Sequence, residues 1–176
     1  APGLATMKAN TALGFVFLGS ALCLFAAAQE PGMKRGLATR ILASLPALLG
    51  LLTLTEYATG LEFGLDQRLF QDDTVGSGSP HPGRMAQATA LNLSLFGAAL
   101  CLLGSRLKRR QLAAQGLALT GAVSGLVAIA GYLFGVRELY AVTPLSSVAP
   151  HTAYLSALVG FGILSARPAL GLMSVI

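Results

Sequence analysis

Thr11-Ala12-Leu13-Gly14-Phe15-Val16-Phe17-Leu18-Gly19-Ser20-Ala21-Leu22-Cys23-Leu24-Phe25-Ala26-Ala27-Ala28 is a run of eighteen residues without a charged side chain. Coiled at about 1.5 Å per residue, it approaches the roughly 30 Å of hydrocarbon in a bilayer. Four comparable runs follow, at about Ile41 to Gly60, Thr89 to Gly104, Leu112 to Gly135 and Thr152 to Ala166. Their apolar residues are continuous and lack the period-two alternation of a membrane barrel. The whole chain agrees: 54% of its residues are hydrophobic, only 11% are charged, and its mean hydropathy is +0.69. A water-soluble fold has no means of covering that much apolar surface. The sequence therefore predicts an all-α integral membrane protein, with residues 1–176 forming one bundle of five transmembrane helices.

The net charge of +5 does not point to nucleic acid, because of where the charge lies. Lys34, Arg35 and Arg40 follow the first run; Arg106, Lys108, Arg109 and Arg110 follow the third; Arg167 follows the fifth. With Glu30 these loops sum to +7, whereas the opposite side, from Lys8 to Glu138, sums to −2. Positive loops stay in the cytoplasm. The expected location is thus a bacterial inner membrane, with the amino-terminal end of the chain on the periplasmic side. An outside start without an initiator methionine at Ala1, and an apolar end at Ile176, lead us to expect a piece of a longer polypeptide.

An internal repeat organises the chain. At an offset of 78, Met7 to Ala26 aligns with Met85 to Gly104, and nine of twenty positions are identical, among them Thr11/Thr89, Gly19/Gly97 and Cys23/Cys101. At an offset of 75, Gly50/Gly125, Leu51/Leu126, Tyr57/Tyr132 and Gly60/Gly135 agree. A partial third copy begins at Pro150, where Thr152, Ala153 and Gly160 echo Thr89, Ala90 and Gly97. The copies span about 7–70, 85–140 and 150–170. They read as parallel helical hairpins, unlike the inverted repeats of many transporters. No Asp, Glu, Lys, Arg or His lies near the middle of a span, so an ion pathway has no carrier. Gly14, Gly19, Ala21, Gly97, Gly121 and Gly125 allow close helix contact.

Few residues offer chemistry. Glu56 and Tyr57 close the second helix; Tyr132 closes the fourth. The tyrosines read as interfacial anchors with hydroxyls in water. Glu56 reads as a solvated carboxylate, with Arg68 or Arg84 as candidate partners. Between helices two and three, Leu61, Leu65 and Leu69 recur every four residues, which suggests a short interfacial helix. Its candidate site residues are Phe63, Asp66, Arg68, Phe70 and Arg84. His151, with Tyr154 one turn on and Tyr132 or Tyr140 near it, is the candidate ligand for haem or another tetrapyrrole. The competing reading places His151 at a helix start, as Asn10 would cap the first helix. Cys23 and Cys101 read as small packing residues. No phosphate loop, zinc spacing, nucleophile elbow or paired catalytic carboxylates occur, so no catalytic activity, metal or resident cofactor is expected of this segment.

The segment Pro2-Gly3-Leu4-Ala5-Thr6-Met7-Lys8-Ala9-Asn10-Thr11-Ala12-Leu13-Gly14-Phe15 resembles one repeated in the amino-terminal membrane regions of PAS-containing bacterial sensor histidine kinases and diguanylate cyclases. So do Glu56-Tyr57 with Gly64 to Phe70, Pro82-Gly83-Arg84-Met85, His151-Thr152-Ala153 and Ala166-Arg167-Pro168. One position departs: Ala88 stands where the family has Asn. The resemblance implies a membrane input module that relays a membrane or periplasmic signal to cytoplasmic output domains, a histidine kinase or diguanylate cyclase in the parent chain. Lipid and a second copy of the chain are the expected partners. The alternative is an accessory subunit of a respiratory or photosynthetic membrane complex, contacting lipid, quinone or pigment.

Overall fold

A computed structural model describes residues 6–27, 33–64, 83–143 and 146–167. These form five α-helices, α1 (Ala9–Ala26), α2 (Met33–Thr59), α3 (Gln87–Leu103), α4 (Lys108–Phe134) and α5 (Pro150–Ser165). Between α4 and α5 lie a 3-10 turn, Arg137–Leu139, and two short antiparallel strands, β1 (Ala141–Thr143) and β2 (Ser146–Ser147).

Local signals set the helix ends. Gly60 and Gly135 adopt left-handed backbone, with φ of 71° and 69°, the conformation a residue without Cβ adopts most readily at a helix terminus. Pro150 opens α5, where its missing N–H deprives no hydrogen bond. The capping expectation at Asn10 is corrected: Lys8 is the N-cap, in extended backbone and without a side-chain cap. Asn10 sits inside the first turn and is buried. Ala86 and Ala149 occupy the matching caps of α3 and α5, so His151 belongs to the first turn of its helix. Pro46 lies within α2 and is fully buried.

Three helical segments are long and apolar enough to cross a membrane: Ala9–Ala26, Gly36–Thr59 and Lys108–Phe134. The helices α3 and α5 have 17 and 16 residues, about 25 Å of axis each. Their position is consistent with their length. The three helices α1, α3 and α5 touch one another, α2 packs on α1 and α3, and α4 packs on α3 and α5. Phe96, Leu93, Leu100 and Leu103 of α3 are fully enclosed, with Leu18 from α1 and Ile163 from α5. Conversely, Leu37, Ile41, Leu45, Leu48 and Leu52 make an exposed apolar stripe on α2, and Leu112, Leu119, Val123 and Leu126 make another on α4.

Small residues permit the close approach. A methyl group built on Gly97 of α3 would meet the Ala43 carbonyl oxygen and lie 2.7 Å from Cβ of Ala47, both on α2. One on Gly160 of α5 would lie 3.0 Å from the Ala118 oxygen and 2.6 Å from Cβ of Ala122, both on α4. Gly50 is similarly filled by the Ala90 oxygen, and Gly125 by the Ala153 oxygen at 2.8 Å. The α2/α3 and α4/α5 contacts thus recur at the offsets of 75 and 63 seen in the sequence. Gly14 and Gly121 are also tightly packed, against Leu93 and Phe96. Gly19 is the exception: among the described residues, a methyl group built there has no neighbour within 4 Å.

The expected interfacial helix is not formed in its first part. Leu61 to Gly64 are exposed and non-helical, and Gly64 has a φ of 67°. The rest of that stretch, with Asp66, Arg68 and Phe70, lies outside the described residues.

Candidate functional site

The helix end at Glu56 and Tyr57 meets the chain at Gly83, Arg84 and Met85, just before α3 begins. Gly83 has a φ of 79°, which turns the backbone and delivers Arg84 inward beneath α2. Nε of Arg84 then stands 3.6 Å from Oε2 of Glu56, and the two side chains are 4% and 1% exposed. The other carboxylate oxygen, Oε1, accepts a hydrogen bond of 2.8 Å from the Phe63 N–H. Tyr57 completes the junction. Its hydroxyl donates to the Met85 carbonyl at 3.0 Å, and its ring lies under the Arg84 guanidinium, 5.4 Å from Cζ to the centroid, within cation–π range.

Two expectations are corrected here. Glu56 is buried, not solvated, because Arg84 and the Phe63 amide replace water around its carboxylate. Arg84 is a buried member of the junction and not a residue of the interfacial surface. Phe63 remains exposed and contributes its backbone alone.

The tyrosine reading is corrected as well. A phenol beside a backbone carbonyl satisfies that carbonyl where water is scarce. Tyr132 does the same as Tyr57, donating to the Val148 carbonyl at 2.5 Å. Met85 and Val148 each lie four residues before the Thr-Ala pair of the next helix. The junctions differ in charge. At the second, Gly131 takes the place of Glu56 and Ser147 that of Arg84, while Tyr140 stacks on Tyr132 with centroids 4.0 Å apart. A tyrosine tie is common to both; the buried ion pair belongs to the first.

His151 and Tyr154 are exposed on α5, and the Tyr132 ring and hydroxyl are engaged by Tyr140 and Val148. Exposed side chains of this kind, beside a tyrosine already engaged, do not fit a tetrapyrrole. Among the described residues no group of three or more His, Cys, Asp and Glu comes together to hold a metal. Cys23 is exposed, and Cys101 is half-buried with Sγ 3.8 Å from the Arg40 carbonyl oxygen.

One polar cluster escaped sequence reasoning. Nδ2 of Asn92 on α3 lies 3.3 Å from Oγ of Ser124 on α4 and 3.2 Å from Oγ of Ser156 on α5. Asn92 and Ser156 are buried, and among the described residues Oδ1 of Asn92 has no hydrogen-bond partner. An amide inside an apolar run is the sequence signal that marks it. The cluster links three helices and carries no nucleophile activated by a base.

No family model matches the chain, and neither curated proteins nor solved structures give a match.

Proposed function

We propose that this chain is the membrane-embedded input module of a bacterial signalling protein, with five membrane spans built as parallel helical-hairpin repeats. The observation that carries this reading is the junction of Glu56, Tyr57, Arg84 and Met85. Two motif fragments that resemble sensor-kinase membrane regions, well separated in sequence, are tied by an ion pair, a hydrogen bond and a cation–π contact. These bonds join the end of α2 to the residues just before α3. A signal acting on that connection displaces α2 relative to α3, and a buried pair of opposite charges resists intermediate positions. The recurrent contacts of Gly97 and Gly160 support the duplication, and the +7 and −2 loop charges support a cytoplasmic side at Arg40, Lys108 and Arg167.

The test is a fusion of residues 1–167 to the cytoplasmic core of a histidine kinase, assayed for autophosphorylation in membranes. Arg84→Met and Glu56→Gln are expected to change the activity several-fold at equal membrane abundance. Activity that neither substitution moves overturns the reading. A second reading, an accessory subunit of a larger membrane assembly, is favoured by the uncovered surface of α1 around Gly19.

A further inference from the structure

Arg106, Lys108, Arg109 and Arg110 stand within five residues where α3 turns into α4, and all four are exposed. Among the described residues none of them has an ion pair. The described carboxylates are too far away to serve. Glu56 and Glu62 lie by the start of α3, whose 17 residues set them about 25 Å from the turn. Glu138 lies beyond the far end of α4, whose 27 residues span about 40 Å. Both distances exceed the screening length of about 8 Å in physiological salt. The four cations therefore repel one another with no described anion to offset them.

Their surroundings narrow the chemistry of the missing anion. Leu107, between Arg106 and Lys108, is 59% exposed, and Leu112, just past Arg110, is 44% exposed. The apolar stripe of Leu119, Val123 and Leu126 continues from there along α4. The cations thus sit at the edge of the surface that faces hydrocarbon, at the depth where lipid phosphates lie. A nucleotide or an acidic peptide would answer the charges and leave Leu107 and Leu112 in water. An anion that carries acyl chains answers both. Arginine suits a phosphate in particular, because its planar fork of donors matches two phosphate oxygens at once.

We propose that the turn from Arg106 to Arg110 binds the headgroup phosphate of an anionic phospholipid, whose acyl chains run along the Leu112 and Leu119 side of α4. The inference rests on the helices lying in a membrane and on the position of the charge. It is independent of the signalling role and of which side of the membrane the turn faces.

The test measures lipid selectivity by electron spin resonance, with the whole chain in phosphatidylcholine vesicles that contain a small fraction of lipid spin-labelled on its acyl chain. Labelled phosphatidylglycerol is expected to associate at least about threefold more strongly than labelled phosphatidylcholine at low salt, and the preference should fade in molar salt. Arg106→Gln/Lys108→Gln/Arg109→Gln/Arg110→Gln should abolish it. Arg106→Lys/Arg109→Lys/Arg110→Lys, which keeps the charge, should retain most of it. Lys8→Gln/Arg137→Gln, at the opposite end of the bundle, should leave it unchanged. No preference in the unsubstituted chain, a preference that the quadruple variant keeps, or an equal loss in the Lys8 and Arg137 variant would each overturn the proposal. Displacement of phosphatidylglycerol by inorganic phosphate, beyond the effect of chloride at equal ionic strength, would make this a site for free phosphate and overturn the lipid assignment. The first outcome needs no variant, and helix content by circular dichroism identifies a variant that has not folded.

Discussion

Nε of Arg84 lies 3.6 Å from Oε2 of Glu56, with both side chains nearly closed to solvent. A buried pair of this kind is weak support for net stability, because removing two charges from water offsets most of their attraction. Its consequence is asymmetric: either partner alone is far worse than both or neither. Arg84→Met should therefore destabilise the folded chain in mild detergent by about 3–5 kcal/mol. The double variant Glu56→Gln/Arg84→Met should recover most of that loss. Equal destabilisation by the single and double variants, measured by urea unfolding, would show that the pair is not coupled.

Glycine positions that look alike in sequence should respond differently. Gly97→Ala places a methyl group against the Ala43 carbonyl and the Ala47 side chain, and overpacking of this sort costs about 1–3 kcal/mol. Gly160→Ala should fall in the same range. Gly19→Ala, in open space, should stay within about 0.5 kcal/mol of the parent. Thermal unfolding of the three variants side by side checks the order.

The two tyrosine hydroxyls should be interchangeable in effect. Tyr57→Phe and Tyr132→Phe each remove one hydrogen bond to a backbone carbonyl, worth about 1 kcal/mol. They act at different helix pairs, so the double variant should show the sum. A Tyr132→Phe variant as stable as the parent would reduce its hydroxyl to an interfacial anchor.

Topology is open to labelling. In a Cys23→Ser/Cys101→Ser background, a cysteine at Ser77 is expected to react with a membrane-impermeant maleimide in intact spheroplasts. One at Ser105 is expected to react only after lysis. The reverse pattern would place the Leu61 to Arg84 connection in the cytoplasm and overturn the proposed periplasmic input.

The helices were legible because their signals are local and strong. An uncharged run such as Thr11 to Ala28 has few alternatives to a helix where no water can satisfy the backbone. Gly60 and Gly135 marked the ends of α2 and α4 because a left-handed terminus requires no side-chain contact to be inferred. The cap at Asn10 misled, since Asn serves equally as a buried side chain within the first turn. Periodicity at Leu61, Leu65 and Leu69 suggested a helix, but Gly60 and Gly64 both take positive φ, and left-handed residues interrupt a right-handed helix.

What the sequence by itself determined is the helical membrane class and the alternation of basic and acidic loops, and it aligned Gly97 with Gly19 and Tyr57 with Tyr132. Those properties belong to composition and spacing, and they hold whichever helices are neighbours. Only the tertiary structure decided which of the corresponding residues have partners. It buried Glu56 by bringing Arg84 back from 28 residues away, gave Tyr57 and Tyr132 carbonyls in place of water, and covered Gly97 while leaving Gly19 bare. The physical reason is that burial, pairing and close approach depend on which helix faces meet in space, and similar residues such as Gly19 on α1 and Gly97 on α3 acquire different surroundings among the described residues.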